Sequence, residues 1–212
     1  MMKNKILITF FFFFSNNLIH SELKSQINNT IVIKIGNLLV SSIDVQNEII
    51  TNLIINKQEV TQKNIDSYKD YSIKKLITKT IKKIETDKYE ITNYDQMALN
   101  DYIDNAAKSL STNKKGLKEI FMKSGVSYDL FVEKYRTELL WNTLIFQIYK
   151  NQININIIEV ENEIGKIKKD KNISELKKIK ETILLKRKEE KLDLFSRSHF
   201  SNLENSILIN FQ

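Results

Sequence analysis

The stretch IVIKIGNLLV at residues 31–40 decides which part of the chain forms a sheet. Two apolar, β-branched runs flank Gly36-Asn37, a pair suited to a two-residue turn that needs positive φ, so the stretch predicts a β-hairpin. A second apolar run, SILINF at residues 206–211, predicts a strand near the end of the sequence. Because an isolated strand needs a partner and the hairpin is the only obvious sheet, we expect the two ends of the mature chain to meet.

Between these strands, apolar residues recur at helical spacing. The predicted helices cover residues 45–54, 65–84, 97–110, 115–123, 128–149, 159–168 and 176–195. Thr92-Asn93-Tyr94-Asp95 has the form of a capping box ahead of the third helix, and the alternating run ININI at residues 153–157 predicts a short strand. The expected fold is mostly α, a helical module with a small sheet formed by the N-terminal hairpin and the C-terminal strand.

Residues 1–21 have the pattern of a secretory signal peptide. Two lysines precede an almost entirely apolar run at residues 6–14, and Ser21 is the nearest small residue that could precede a cleavage site. The apolar run is far shorter than the roughly 20 residues that cross a bilayer, so an uncleaved anchor is the weaker alternative. We expect cleavage, export, and a mature chain of residues 22–212 that folds as one domain.

The sequence is basic, with 33 Lys and Arg against 26 Asp and Glu and a formal net charge of +7. Only Arg136, Arg187 and Arg197 are arginine, which is the residue suited to bidentate recognition of phosphates and bases. We therefore expect no nucleic-acid partner, and we interpret the lysines mainly as a solvated surface. Weak contact with a membrane surface is a minor alternative.

Catalytic groups are scarce in this sequence. There is no cysteine, and the only histidines are His20, beside the predicted cleavage site, and His199, so a His/Cys zinc site is not plausible. The four glycines are scattered and cannot form a phosphate-binding loop. The carboxylates of Glu159, Glu161 and Glu163 are spaced by two, which places them on different faces of a helix. We expect no enzymatic activity, no cofactor and no metal.

The fifth predicted helix carries the residues that we expect to bind a partner. Six aromatic side chains fall on it: Tyr128, Phe131, Tyr135, Trp141, Phe146 and Tyr149. Most are expected in a packed core, but six on one helix exceed what a single face can bury, so some should line a surface or groove. Exposed aromatic and apolar patches supply contact area with little loss of entropy, which is typical of polypeptide-binding sites.

Five collinear segments resemble the SurA-like family of periplasmic chaperones and, more widely, SurA-like and trigger-factor-like N-terminal domains. The segments are IKIGNLLVSSIDV at 33–45, KLI at 75–77, YEIT at 89–92, GVSYDLF at 125–131 and YRTELL at 135–140. The resemblance covers about residues 31–164 and 176–211. It implies a SurA-like N-terminal chaperone core in which the C-terminal helix and strand fold back onto the N-terminal module.

The sequence departs from the family between the helical module and the final helix. Members usually carry one or two parvulin-type peptidyl-prolyl isomerase domains there. This chain has a lysine-rich connector at residues 166–174, between a module at 22–165 and a C-terminal helix and strand at 175–212. The resemblance implies an ATP-independent holdase for unfolded outer-membrane proteins or other polypeptide segments, without isomerase activity. An adaptor for one fixed partner and a residual isomerase are the alternatives.

Overall fold

The computed structural model describes residues 30–167 and 172–212. The predicted signal peptide at residues 1–21, and residues 168–171 of the predicted connector, lie outside the described residues. The elements are β1 Ile31–Ile35, β2 Leu38–Ser41, α1 Ser42–Ile55, α2 Gln62–Lys88, α3 Gln96–Ser109, α4 Lys114–Lys123, α5 Tyr128–Tyr149, α6 Ile157–Ile167, α7 Ile173–Ser206 and β3 Ile209–Phe211. Of the residues that the structure describes, 75% are helical and a few form a small sheet, which confirms the predicted mostly α class.

The three strands form one antiparallel sheet in the order β2-β1-β3. The amide of Gly36 donates to the carbonyl of Leu208 at 2.9 Å, and the amide of Gln212 donates to the carbonyl of Val32 at 3.0 Å. These bonds join the hairpin to the end of the chain, so the prediction that the two regions share a sheet is confirmed. The last strand is shorter than predicted because α7 continues to Ser206.

Three apolar clusters pack the sheet, α1 to α5 and α7 together. The first packs α3, α4 and the first half of α5 around Phe121 and Phe131, together with the end of α1. The second joins the sheet, α1, α2 and the end of α7, and the third packs Trp141 and its neighbours on α5 against α7. The long α7 therefore crosses the end of α5 before it delivers β3 to the sheet. Within the described ranges, we find no helix with both the length and the apolar character needed to span a bilayer.

Two local predictions from the sequence are wrong. Asp95, rather than Thr92, is the N-cap of α3, and its side chain accepts from the amide of Ala98 at 3.0 Å. The run at residues 153–157 is not a strand, because Asn156 turns the chain into α6, its Oδ1 accepting from the amide of Ile158 at 3.1 Å. In both places a short polar side chain accepts from a free helix N–H group, and this local bond decides where the helix begins.

We predict opposite effects for two glycine substitutions. Gly36 has φ +55° in the hairpin turn, so Gly36→Ala should lower the free energy of unfolding by about 1 kcal/mol, the cost of a left-handed alanine. Gly165 lies in α6 with no atom within 4 Å of an added Cβ, so Gly165→Ala should raise it by about 0.5 kcal/mol. Urea denaturation measures both, and equal shifts of one sign would contradict the turn geometry.

Candidate functional site

The six aromatic residues of α5 do not form one surface. Phe131 is fully buried in the first cluster, with its ring centroid 5.1 Å from that of Phe121. Tyr128 is half-buried beside both rings. Tyr135 is also half-buried, and it stacks on Tyr102 and is hydrogen-bonded to it. Burial raises the pKa of Tyr102 to about 12, so its hydroxyl is neutral at physiological pH.

Trp141 and Tyr149 face the other way, toward α7. Trp141 is 1% exposed, and its indole Nε1 donates to Ser196 Oγ at 2.8 Å. Tyr149 stacks on Phe195 with a centroid separation of 4.6 Å. Burial also raises the pKa of Tyr149, so its neutral hydroxyl is available for a hydrogen bond. These two aromatic residues attach α5 to α7.

His199 lies in the same interface and connects three helices. Its Nδ1 is 2.9 Å from Tyr149 Oη on α5, and its Nε2 is 3.3 Å from Glu85 Oε1 on α2. The side chains of His199 and Glu85 are 15% and 4% exposed. Both ring nitrogens therefore have protein partners, and this arrangement supports a structural role for His199 in fixing α7.

Phe146 is the one exposed member of the set, at 40%, and the ammonium of Lys188 lies 5.1 Å from its ring centroid. The six predicted residues thus fall into three groups. Tyr128, Phe131 and Tyr135 pack in the first cluster, Trp141 and Tyr149 pack against α7, and Phe146 lies at the surface. A groove beside α5 built from all six is not present in this conformation.

An apolar groove lies elsewhere, along the seam between the antiparallel helices α1 and α2. It has a volume of about 750 Å³, within the range of roughly 300–1,000 Å³ typical of ligand clefts. Its apolar lining is Val32, Val45, Ile49, Ile50, Val60, Ile65 and Ile73. We call these residues and the space between them the α1–α2 groove. Three of them form a buried floor, three are half-buried walls, and Val60, at 50% exposed, stands at the rim.

The rim of the α1–α2 groove is polar and close to neutral. Gln46, Gln62, Asp66 and Lys69 line it, with one acidic and one basic side chain among them. Gln62 Nε2 donates to Asp66 Oδ1 at 2.8 Å, so these two rim side chains are already hydrogen-bonded to each other. The groove can therefore bind apolar side chains without selecting strongly for charge, and the rim groups can donate to or accept from an extended backbone.

The sequence analysis did not identify this groove. The available signal was that the apolar positions of α1 occupy more than one face, since Val45, Ile49 and Leu53 enter the second cluster while Ile50 and Ile54 enter the first. That pattern shows that α1 is covered on two sides but not which part of the seam with α2 is left open. The opening depends on how α1, α2 and Val32 of β1 are placed relative to one another, which the spacing of apolar residues along one helix does not encode.

Comparison with known proteins does not assign a family. The sequence matches no protein-family model, and no match was found among the curated proteins. The SurA-like resemblance therefore stays a prediction from the residues alone.

Proposed function

We propose that this protein is an ATP-independent holdase of the bacterial periplasm, which binds apolar segments of unfolded outer-membrane proteins in the α1–α2 groove. The observation that carries the proposal is the groove itself, an apolar seam of about 750 Å³ that opens to solvent between two long helices. Contiguous exposed apolar surface of this kind marks sites for polypeptides or other apolar partners. The signal-peptide pattern of residues 1–21 supports the periplasm as the place of action.

The form of the groove suits a holdase better than a site for one specific ligand. Its contacts are aliphatic, and its rim places few charges that could discriminate between sequences. Holding an unfolded chain needs many weak, sequence-tolerant contacts, because release must follow binding. The helical walls are fixed by the first and second clusters, so the binding surface is organised before the client arrives.

The test is suppression of aggregation of an unfolded porin, followed by light scattering at stoichiometric protein. We expect the wild-type protein to suppress scattering and Val60→Asp to lose most of that effect, because a carboxylate at the rim must be desolvated by an apolar client. Met97→Asp is the matched control, since Met97 is 75% exposed on α3 and lies outside the groove. Circular dichroism should show the same helical content for both variants.

Three outcomes would overturn the proposal. The first is a wild-type protein that does not suppress scattering. The second is a pull-down that returns one partner in a fixed, high-affinity complex, which would indicate an adaptor instead. The third is turnover of a proline-containing peptide that is lost in His199→Gln, which would indicate a residual isomerase.

Photocrosslinking from Val60, with Met122 as the remote control position, would locate a bound client directly.

A further inference from the structure

A second cleft lies between α2 and α5, on the side of α2 away from the groove. It has a volume of about 230 Å³ and is lined by Glu48, Lys75, Thr78, Lys79, Lys82, Lys134, Tyr135 and Glu138. We call it the lysine cleft. Its four lysines and two glutamates give a formal charge of +2, so a small and partly enclosed space has an excess of positive charge.

Two of the four lysines are already neutralised by carboxylates of the protein. Lys82 Nζ lies 2.5 Å from Glu138 Oε2, and Lys134 Nζ lies 2.6 Å from Glu48 Oε1. The Lys134–Glu48 pair is largely removed from water, with side chains 20% and 8% exposed, whereas Glu138 keeps the Lys82 pair in contact with solvent at 42% exposed. The cleft therefore accommodates carboxylate–ammonium pairs in two places.

The other two lysines have no carboxylate partner. Among the described residues, Lys79 is half-buried and makes no ion pair, and Lys75 makes only a contact of 5.5 Å with the ring of Tyr71. Like charges held near one another in a partly enclosed site repel, and a bound anion would relieve that repulsion. Lys75 is exposed, but the charge of the half-buried Lys79 is screened less by salt than that of a fully exposed lysine.

We propose that the lysine cleft binds a carboxylate side chain of a client polypeptide, held by Lys75 and Lys79. The inference rests on the proposed function, since the occupant is a segment of a held chain. The internal pairs with Glu48 and Glu138 show the ligand chemistry that the cleft accepts, and charge complementarity selects an acidic residue for the remaining space. Clients that carry an acidic residue able to reach the cleft are thus bound more tightly than neutral ones.

The test compares two fluorescent apolar peptides that are identical except that glutamates in one are glutamines in the other. Fluorescence anisotropy at low and at physiological ionic strength measures both affinities for the wild-type protein, Lys79→Gln and Lys74→Gln. Lys74 is the matched control, since it is an exposed lysine of α2 that does not line the cleft. We expect the wild type to prefer the acidic peptide by about threefold to fivefold.

Lys79→Gln should lose this preference and keep its affinity for the glutamine peptide, while Lys74→Gln keeps both. Equal binding of the two peptides by the wild type, or a preference that survives in Lys79→Gln, overturns the inference but leaves the proposed function standing. If the wild type binds neither peptide, both this inference and the proposed function are overturned. Binding of inorganic phosphate that is lost in Lys79→Gln, without any preference for the acidic peptide, would assign the cleft to free anions and also overturn the inference.

Discussion

Trp141→Ala lowers the free energy of unfolding by about 3–5 kcal/mol, the range for removing a large aromatic side chain from a core. Trp141 is the largest fully buried side chain, and with Leu144 and Ile145 it forms the third cluster under α7. The substitution also leaves Ser196 without the indole N–H that donates to its hydroxyl at 2.8 Å. Because α7 delivers β3 to the sheet, the loss of this contact should loosen the C-terminal part of the fold as well.

Urea denaturation followed by circular dichroism measures the change. Phe146→Ala on the same helix is the control, and it should cost less than about 1 kcal/mol because this ring is already 40% exposed. Trp141→Phe should fall between the two, since it keeps most of the packing and loses the hydrogen bond to Ser196. A loss below about 1 kcal/mol for Trp141→Ala would mean that α7 does not pack on α5 as described.

Lys134→Met lowers the free energy of unfolding by about 3 kcal/mol, the lower end of the cost of breaking a buried ion pair from one side. Glu48 is 7% exposed, and Lys134 is its partner ammonium at 2.6 Å. Lys134 also donates to Asn52 Oδ1 at 3.0 Å, and Asn52 Nδ2 donates to Ser72 Oγ at 3.1 Å. The substitution therefore leaves a buried carboxylate uncompensated within a network that joins α1, α2 and α5.

A second substitution separates the lost charge partner from lost packing. Glu48→Gln combined with Lys134→Met should restore most of the stability, because the neutral amide can still accept from Asn52 and no longer needs a cation. Lys118→Met is the control, as an exposed lysine on α4, and it should change stability by no more than about 0.5 kcal/mol. If the double variant is no more stable than Lys134→Met, the ion pair is not the source of the effect.

The hydrogen-bonded network of Lys134, Glu48, Asn52 and Ser72 positions the site as well as stabilises the fold. Glu48 and Asn52 lie on α1 close to Ile49, which forms part of the floor of the α1–α2 groove. Ser72 lies on α2 next to Ile73, which forms part of its wall. A loss of the network should therefore widen or close the seam, so Lys134→Met is expected to impair client binding in proportion to its effect on stability.

Local sequence chemistry was enough to predict the hairpin and most of the helices. Gly36 supplies the positive φ of the turn, and Ser41 caps α1 in a capping box with Asp44. It was not enough at residues 153–157, where alternation predicted a strand but Asn156 caps a helix instead. Nor did it predict the full length of α7, whose apolar face continues through Phe200 and Leu203 against the second and third clusters.

The sequence by itself determined the helical content and the turn at Gly36, because these depend on neighbouring residues. It also determined that the hairpin meets the C-terminal strand, because that strand needs a partner and the hairpin is the only obvious sheet. Only the tertiary structure decided that Phe131 and Trp141 are buried while Phe146 is exposed, since burial depends on which distant element packs over each side chain. The same holds for the α1–α2 groove and the lysine cleft. Both are spaces between helices, and a space is defined by the relative placement of elements that no local pattern encodes.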